Sequence, residues 1–219
     1  MTAPHPALAA PDRIVLAGRY VRLEPIDRRH AADLWAVART PDGIERFRWL
    51  PNEPPGSEAA VIQWIEEAAP SPDPLYFAVV DQATGRCKGR QALMRMAPKD
   101  GVIEVGGVYW GPGMARSRLA TEALYLFARY AFETLGNRRF EWKCNDRNEP
   151  SKRAATRFGF TFEGIFRQHM IVKGENRDTA WFSMLDGEWP NRKAGFEAWL
   201  DPANFDAVGQ QKSRLTFGA

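Results

Sequence analysis

The chain has 219 residues, 44 % of them hydrophobic and 12 % aromatic, with eight tryptophans and a formal net charge of +3. That composition describes a folded domain with a substantial core, and the length leaves room for one such domain plus an appendage. No run of five like charges and no stretch of ~18 apolar residues occurs, which excludes an electrostatic nucleic-acid footprint and a membrane-spanning helix. The N-terminus has neither a charged nor an apolar leader pattern, so the expected location is the cytoplasm. Cys87 and Cys144 are the only cysteines. They stand in no metal or redox spacing and read as small core residues of a reduced protein, and no metal site is expected.

Residues 1–18, rich in proline and alanine, read as a loose arm. Residues 19–26 alternate, with Tyr20, Arg22 and Glu24 on one face and Val21 and Leu23 on the other, until Pro25 breaks the pattern. This is a first strand, placed at a sheet edge. Asp27 is suited to cap a helix carrying Ala31, Leu34, Trp35 and Ala38, which Pro41-Asp42-Gly43 ends. The prolines of 44–56 predict a loop, although it carries Phe47, Trp49 and Leu50. Ser57-Glu58 begins a second helix through Val61, Ile62, Trp64 and Ile65. Leu75–Asp81, 86–96 and Val102–Trp110 then form a three-strand meander, with turns at Ala83-Thr84-Gly85 and Lys99-Asp100-Gly101.

The stretch 104–123 changes character within a few residues. Val105, Val108, Tyr109 and Trp110 are strand formers, and Gly111-Pro112-Gly113 cannot continue a ladder. From Leu119 a helical period takes over: Ala120, Ala123, Leu124, Phe127, Ala131 and Leu135 share one face, Glu122, Arg129 and Glu133 the opposite one. Gly136-Asn137 is its stop. A strand leading through a tight loop into a helix presents free N–H groups at the positive end of the helix dipole, which suits a phosphate. Residues 138–145 alternate as a strand and, following a helical crossover, should lie parallel to Val102–Trp110. Asn148-Glu149-Pro150-Ser151 opens another helix, ending at Arg157-Phe158-Gly159-Phe160. Strands at about 160–173 and 178–186 follow, joined by Lys173-Gly174-Glu175-Asn176. Beyond Trp189, the spacing of Phe196, Trp199 and Leu200 predicts a short amphipathic helix stopped by Asp201-Pro202, its apolar face capping the domain or meeting a partner. The last fifteen residues read as frayed.

In this order, strand–loop–helix at 104–123, Asn148-Glu149-Pro150-Ser151, Arg157-Phe158-Gly159-Phe160, Glu163-Gly164, Gly174 with Arg177-Asp178, and Glu188-Trp189, the chain resembles the GNAT superfamily of acyl-CoA N-acyltransferases, in its ribosomal-protein N-acetyltransferase-like branch. The resemblance covers residues 19–189 and is carried mainly from 104 onward. It leaves 1–18 as an arm and 190–219 as a C-terminal helical extension and tail. It implies a single α/β (α+β) domain: a central mixed, mostly antiparallel sheet of about seven strands, splayed at its middle and flanked by about four helices. It further implies acetyl-CoA as donor and direct transfer to a primary amine, either a protein N-terminal α-amino group or a small amine, and it allows a homodimer. Neither cysteine has a nucleophile-like setting, which argues against a covalent enzyme intermediate.

The site residues follow from the resemblance. The pantetheine arm would lie along Val108, Tyr109 and Trp110, and the loop Ala115, Arg116, Ser117, Arg118, Leu119, Ala120 and Thr121 would wrap the pyrophosphate. That loop departs from the family pattern Gln/Arg-x-x-Gly-x-Gly/Ala: Ala115 stands at the Gln/Arg position and Arg118 at the central glycine, where it either reaches a phosphate or obstructs the site. Asn148 would approach the pantetheine, Ser151 would protonate the leaving thiolate, and Arg153, with Lys152 and Arg157, would meet the 3′-phosphate. Asn148 also suits a plain helix cap. Gly106-Gly107 suits a bulge turning an amide toward the thioester, or simply relieves crowding. Glu104 and Glu141 are the candidate bases, with His169 or a water chain as alternatives. Phe47 and Trp49 would wall the acceptor cleft. The departures at Ala115 and Arg118 support one rival, a non-catalytic or weakly coenzyme-A-binding interaction protein on the same fold.

Overall fold

The computed structural model describes residues 4–218. In chain order the elements are β1 Leu16–Ala17, β2 Val21–Pro25, α1 Ala31–Ala38, α2 Pro41–Glu45, α3 Glu58–Ala68, β3 Leu75–Asp81, β4 Cys87–Ala97, β5 Val102–Trp110, α4 Arg118–Arg129, β6 Arg139–Asn145, α5 Glu149–Arg157, β7 Thr161–Val172, β8 Glu175–Leu185 and α6 Trp189–Leu200. One sheet of eight strands runs β1-β2-β3-β4-β5-β6-β8-β7. Every neighbouring pair is antiparallel except β5 with β6, which is parallel because α4 carries the chain across between them.

Strand β3 shows how the layers arise. Phe77 and Val79 point into the large core shared with Leu124 and Phe127 of α4, whereas Ala78 and Val80 point into a smaller core with Leu34 of α1 and Val61 and Ile65 of α3. A strand apolar at successive positions must be covered on both faces. The sheet is therefore sandwiched, with α1 and α3 on one side and α4, α5 and α6 on the other.

Several expectations need correction. The first long strand is not at the edge, because β1 pairs outside β2. Pro41-Asp42-Gly43 does not simply end α1. It opens α2, with the Thr40 hydroxyl accepting from the Gly43 N–H at 3.0 Å and Pro41 in the first turn, where its missing donor costs nothing. Residues 46–49 of the expected loop form a 3-10 turn. The arm is fastened: Ala7 N–H donates to the Pro98 carbonyl and Leu8 N–H to the Leu135 carbonyl, both at 2.8 Å. The tail also folds back, with Phe205 buried and Phe217 edge-on to Phe196 at 5.5 Å. Helix α6 caps the domain through Phe196, which is fully buried between Tyr125, Phe158 and Phe217.

The most consequential correction is Glu122, expected on the polar outer face of α4 and in fact 4 % exposed. Its carboxylate accepts the backbone N–H groups of Arg19, Tyr20 and Val21 at 2.8, 2.6 and 2.7 Å. Buried backbone donors need acceptors, and the entry to β2 finds them here instead of in a ladder. Gly18 is bare for this reason, since a β-carbon there would overlap the Glu122 carboxylate. Glu122→Ala strands all three donors and should destabilise the protein by about 2–4 kcal/mol in urea denaturation. A loss below about 0.5 kcal/mol would show that water satisfies them.

Candidate active site

Pairing of β5 with β6 runs from Val102↔Arg139 to Val105↔Trp142 and then stops, although β5 continues to Trp110 and β6 to Asn145. The break has a local cause on the other edge of β5. Register there jumps from Arg90↔Tyr109 to Ala92↔Gly106, so Gln91 faces two residues of β5. Gly107 takes φ +56°, which favours glycine. A β-carbon on Gly107 would stand 2.8 Å from the Tyr76 ring, and one on Gly106 would collide with the Met94 thioether. The glycine pair thus both makes a bulge and relieves crowding. The Gly107 carbonyl accepts from Arg90 Nη1 at 2.9 Å.

Beyond the bulge, Val108 and Trp110 pack against the α4 layer. Trp110 Nε1 donates to Gln91 Oε1 at 3.0 Å, and its ring meets Trp142 edge-on at 6.3 Å. Tyr109 turns the other way and packs on Phe47 at 4.7 Å. The chain then enters the loop before α4, where Ala115 and Arg116 are exposed and Arg116 holds φ +61°. Ser117 caps the helix, donating to the Met114 carbonyl at 2.6 Å and accepting the Ala120 N–H at 3.4 Å. Arg118 and Leu119 supply first-turn N–H groups, which have no helical acceptor of their own. Thr121 Oγ1 donates to the Ser117 carbonyl and accepts from Arg157 Nη1, each at 3.1 Å.

The Arg118 guanidinium lies 4.6 Å from the Tyr20 ring centre and 5.6 Å from that of Phe205, so aromatic groups hold it. Arg157 similarly stacks on Trp199 at 4.9 Å. On α5, Asn148 Oδ1 accepts the Ser151 N–H at 3.2 Å with Pro150 in the first turn, which is the capping role. Ser151 Oγ accepts from Trp142 Nε1 at 3.0 Å and so keeps a proton to donate. Burial pushes the neighbouring Cys144 thiol up, and Cys87 to about 12, as inert core thiols. Lys152 is tied to Glu149 at 2.7 Å and Asp146 at 3.2 Å, while Arg153 is exposed.

Glu104 and Glu141 stand opposite each other on the paired half of the two strands, 2 % and 7 % exposed. Lys143 bridges them at 2.9 and 2.7 Å, Arg95 holds Glu104 at 2.9 Å, and Arg139 holds Glu141 at 2.7 Å. Each carboxylate oxygen is already engaged by a cation. Lys143 also sits 3.6 Å from the Trp181 ring centre. His169 Nδ1 lies 3.0 Å from Thr179 Oγ1, and its ring meets Phe166 and Trp181.

On the opposite side of β5 from α4, a cavity of about 590 Å³ lies beneath α1 and α3, lined by Phe47, Pro54, Pro55, Trp64, Arg90 and Tyr109 among others. Of the two aromatic residues named for the acceptor wall, Phe47 lines this cavity and Trp49 does not. Arg90 and Trp64 were missed as site residues. The sequence signal was weak, since Arg90 is one of three cations in β4, with Lys88 and Arg95. A second, polar hollow of about 780 Å³ opens off the end of β6, between Asp146, Arg147, Arg167 and Asp178.

A mixed sheet that splits at its one parallel pair, with a helix N-terminus beyond the split, is the architecture of the GCN5-related N-acetyltransferases. The comparisons agree. The family model for the acetyltransferase (GNAT) domain matches residues 21–161. A GCN5-related N-acetyltransferase from Brucella melitensis superposes with a TM-score of 0.93 and 54 % identity, covering 96 % of each chain. A Chromobacterium violaceum protein described as "probable acetyltransferases (GNAT family)" gives a TM-score of 0.79 at 39 % identity, covering 87 % of this chain and 95 % of the other. An uncharacterized N-acetyltransferase, p20, from Bacillus licheniformis is 26 % identical over 133 residues, 59 % of this chain and 72 % of that one. The chain belongs to the GNAT acetyltransferase family.

Two outcomes test the electrostatics and packing described above. Glu163 is hydrogen-bonded by Arg139, which pulls its carboxyl down to about 2 against the opposing effect of burial, with Ser183 adding a second bond. A carboxyl whose folded pKa lies below its unfolded value of about 4.3 contributes stability that is present above the unfolded value and is lost as pH falls through about 2. Glu163→Gln should therefore flatten the fall in stability between about pH 4.5 and 2, read as Tm against pH; an unchanged acid limb would rule this pair out. Arg118→Ala should lower stability by about 0.5–2 kcal/mol through the lost ring contacts. It should change acetyl-CoA affinity by less than about threefold if the side chain has no phosphate role. A loss of tenfold or more (~1.4 kcal/mol) would return Arg118 to the pyrophosphate.

Proposed function

We propose that the protein transfers an acetyl group from acetyl-CoA directly to a primary amine, with residues 19–189 as the transferase domain. The observation that carries this reading is the open edge of β5 from Gly106 to Trp110, left unpaired where β6 diverges and leading straight to the N-terminus of α4. Unpaired strand edges and first-turn N–H groups need partners. A coenzyme A molecule fits both, its amide-bearing arm along the strand and its pyrophosphate at the helix. The loop Ala115–Thr121 would meet the phosphates through backbone donors, with Arg116 of the loop and Arg153 of α5 as exposed cations.

Acetyl-CoA supplies the acyl group as a thioester: the C–S bond breaks as the C–N bond forms, the thiolate takes a proton and the amine gives one up. The backbone of the Gly106-Gly107 bulge is the group placed to orient the acyl carbonyl. Ser151, with the Trp142 indole on one lone pair, donates the proton to the thiolate and takes one back from solvent. Glu104 and Glu141 stay cation-bound and hold the closed half of the sheet, so the amine's proton passes to solvent. The buried free thiols of Cys87 and Cys144 suit a reducing compartment, and the proposal places the enzyme in the cytoplasm.

Ser151→Ala should lower kcat by roughly 10²-fold or more, with acetyl-CoA affinity by calorimetry changed little. Unchanged kcat would remove Ser151 from the chemistry. The engagement of Arg118 by Tyr20 and Phe205 favours the rival, a non-catalytic module. Absence of both heat and thermal shift at millimolar acetyl-CoA would establish that rival, since a ligand at ~100 times its Kd stabilises by about 2.7 kcal/mol.

A further inference from the structure

Arg90 is 4 % exposed and lines the apolar cavity beside β5. A buried charge requires a counter-charge or a full set of acceptors. Its guanidinium stacks on Trp64 at 4.2 Å and on Tyr76 at 5.2 Å, donates to the Gly107 carbonyl at 2.9 Å, and has the Tyr76 hydroxyl as a further partner. A carbonyl and a phenol occupy only part of a five-donor fork. Among the described residues no carboxylate pairs with it. Glu53, the acidic side chain in the cavity lining, is taken by Lys173 at 3.2 Å. Burial lowers the pKa of Arg90, and the groups that act on it are the phenols of Tyr76 and Tyr109, neither of which is a counter-charge at neutral pH.

The position of this cation constrains what could complete it. Because Arg90 is hydrogen-bonded to Gly107, an anion received by it lies next to the bulge where the acyl carbonyl would be held. An amine that must reach the same place has to sit close to that anion on one small molecule. Most of the remaining lining, Phe47, Pro54, Pro55, Trp64 and Tyr109 among it, offers apolar and aromatic surface beside the polar Asn52 and Gln63 and the Lys173-paired Glu53, and about 590 Å³ is ample for an amino-acid side chain.

We propose that the cavity binds a free α-amino acid with an apolar or aromatic side chain, its carboxylate received by Arg90 and its α-amine presented at the Gly106-Gly107 bulge for acetylation. This rests on the transferase reading and narrows its acceptor. A protein N-terminus carries an amide where the free amino acid carries a carboxylate, and would leave the guanidinium charge unmatched. The planar fork of arginine suits a carboxylate at two points, which no neutral group reproduces.

Calorimetry on the coenzyme-A-loaded protein tests the site apart from turnover. L-Phenylalanine, L-leucine and L-tryptophan are each compared with their own carboxamides. At least one acid should bind tenfold or more tightly than its amide. Arg90→Gln should abolish that difference, and Arg90→Lys should keep part of it. Equal affinity for acid and amide in the unmodified protein, a preference that survives in Arg90→Gln, or no binding of any of the three acids at millimolar concentration would overturn the proposal. The unmodified protein suffices for the first and third comparisons if the variants fail to fold. Thiol release from acetyl-CoA with the acid that binds is read separately. Binding without thiol release would sink the transferase reading and leave the carboxylate site standing.

Discussion

Parallel pairing between β5 and β6 lasts four residue pairs, and everything else in the site depends on its ending there. The paired half is held by more than backbone bonds. Glu104 and Glu141 face each other across the two strands, an arrangement that would repel were Lys143 not between them. The ion network is therefore a rivet at the closed end of the split. At the open end, two glycines let β5 bulge under Tyr76 and past Met94, and Arg90 pins the resulting carbonyl. A rivet on one side and a bulge on the other fix where the strands part.

The same features connect the two faces of the sheet. On the α4 side, Trp110, Trp142 and Phe158 pack edge to face beneath the split, and Trp142 reaches Ser151. On the α1 side, Tyr109 and Arg90 open onto the apolar cavity. Beyond its bulge strand β5 alternates, so Val108 and Trp110 face the α4 side and Tyr109 the α1 side.

Much of this was legible in the sequence. The meander, the parallel crossover, the bulge at Gly106-Gly107, the Asn148 cap and the stop at Gly136-Asn137 each follow from periodicity or from residues with one dominant conformational use. What was not legible concerns charge. Glu122 fits the polar stripe of α4 by spacing, yet it is buried because three N–H groups about a hundred residues earlier need an acceptor. Glu104 and Glu141 read as candidate bases because they sit on the two central strands, while the cations that occupy them are Arg95 on β4 and, two residues to either side of Glu141 on β6, Arg139 and Lys143. Arg90 did not stand out because arginine in a strand is ordinarily a solvated residue and Lys88 and Arg95 share β4 with it. The arm and tail were read as loose from composition, which cannot register acceptors and rings supplied by distant segments.

The stacking of Arg118 on Phe205 and of Arg157 on Trp199 makes the N-terminal turn of α4 and its neighbour α5 lean on a distant stretch of chain. Both aromatic partners lie C-terminal to every strand of the sheet, well beyond the cations they hold. Any disturbance of the C-terminal segment is therefore passed to the start of α4 through cation–ring contacts.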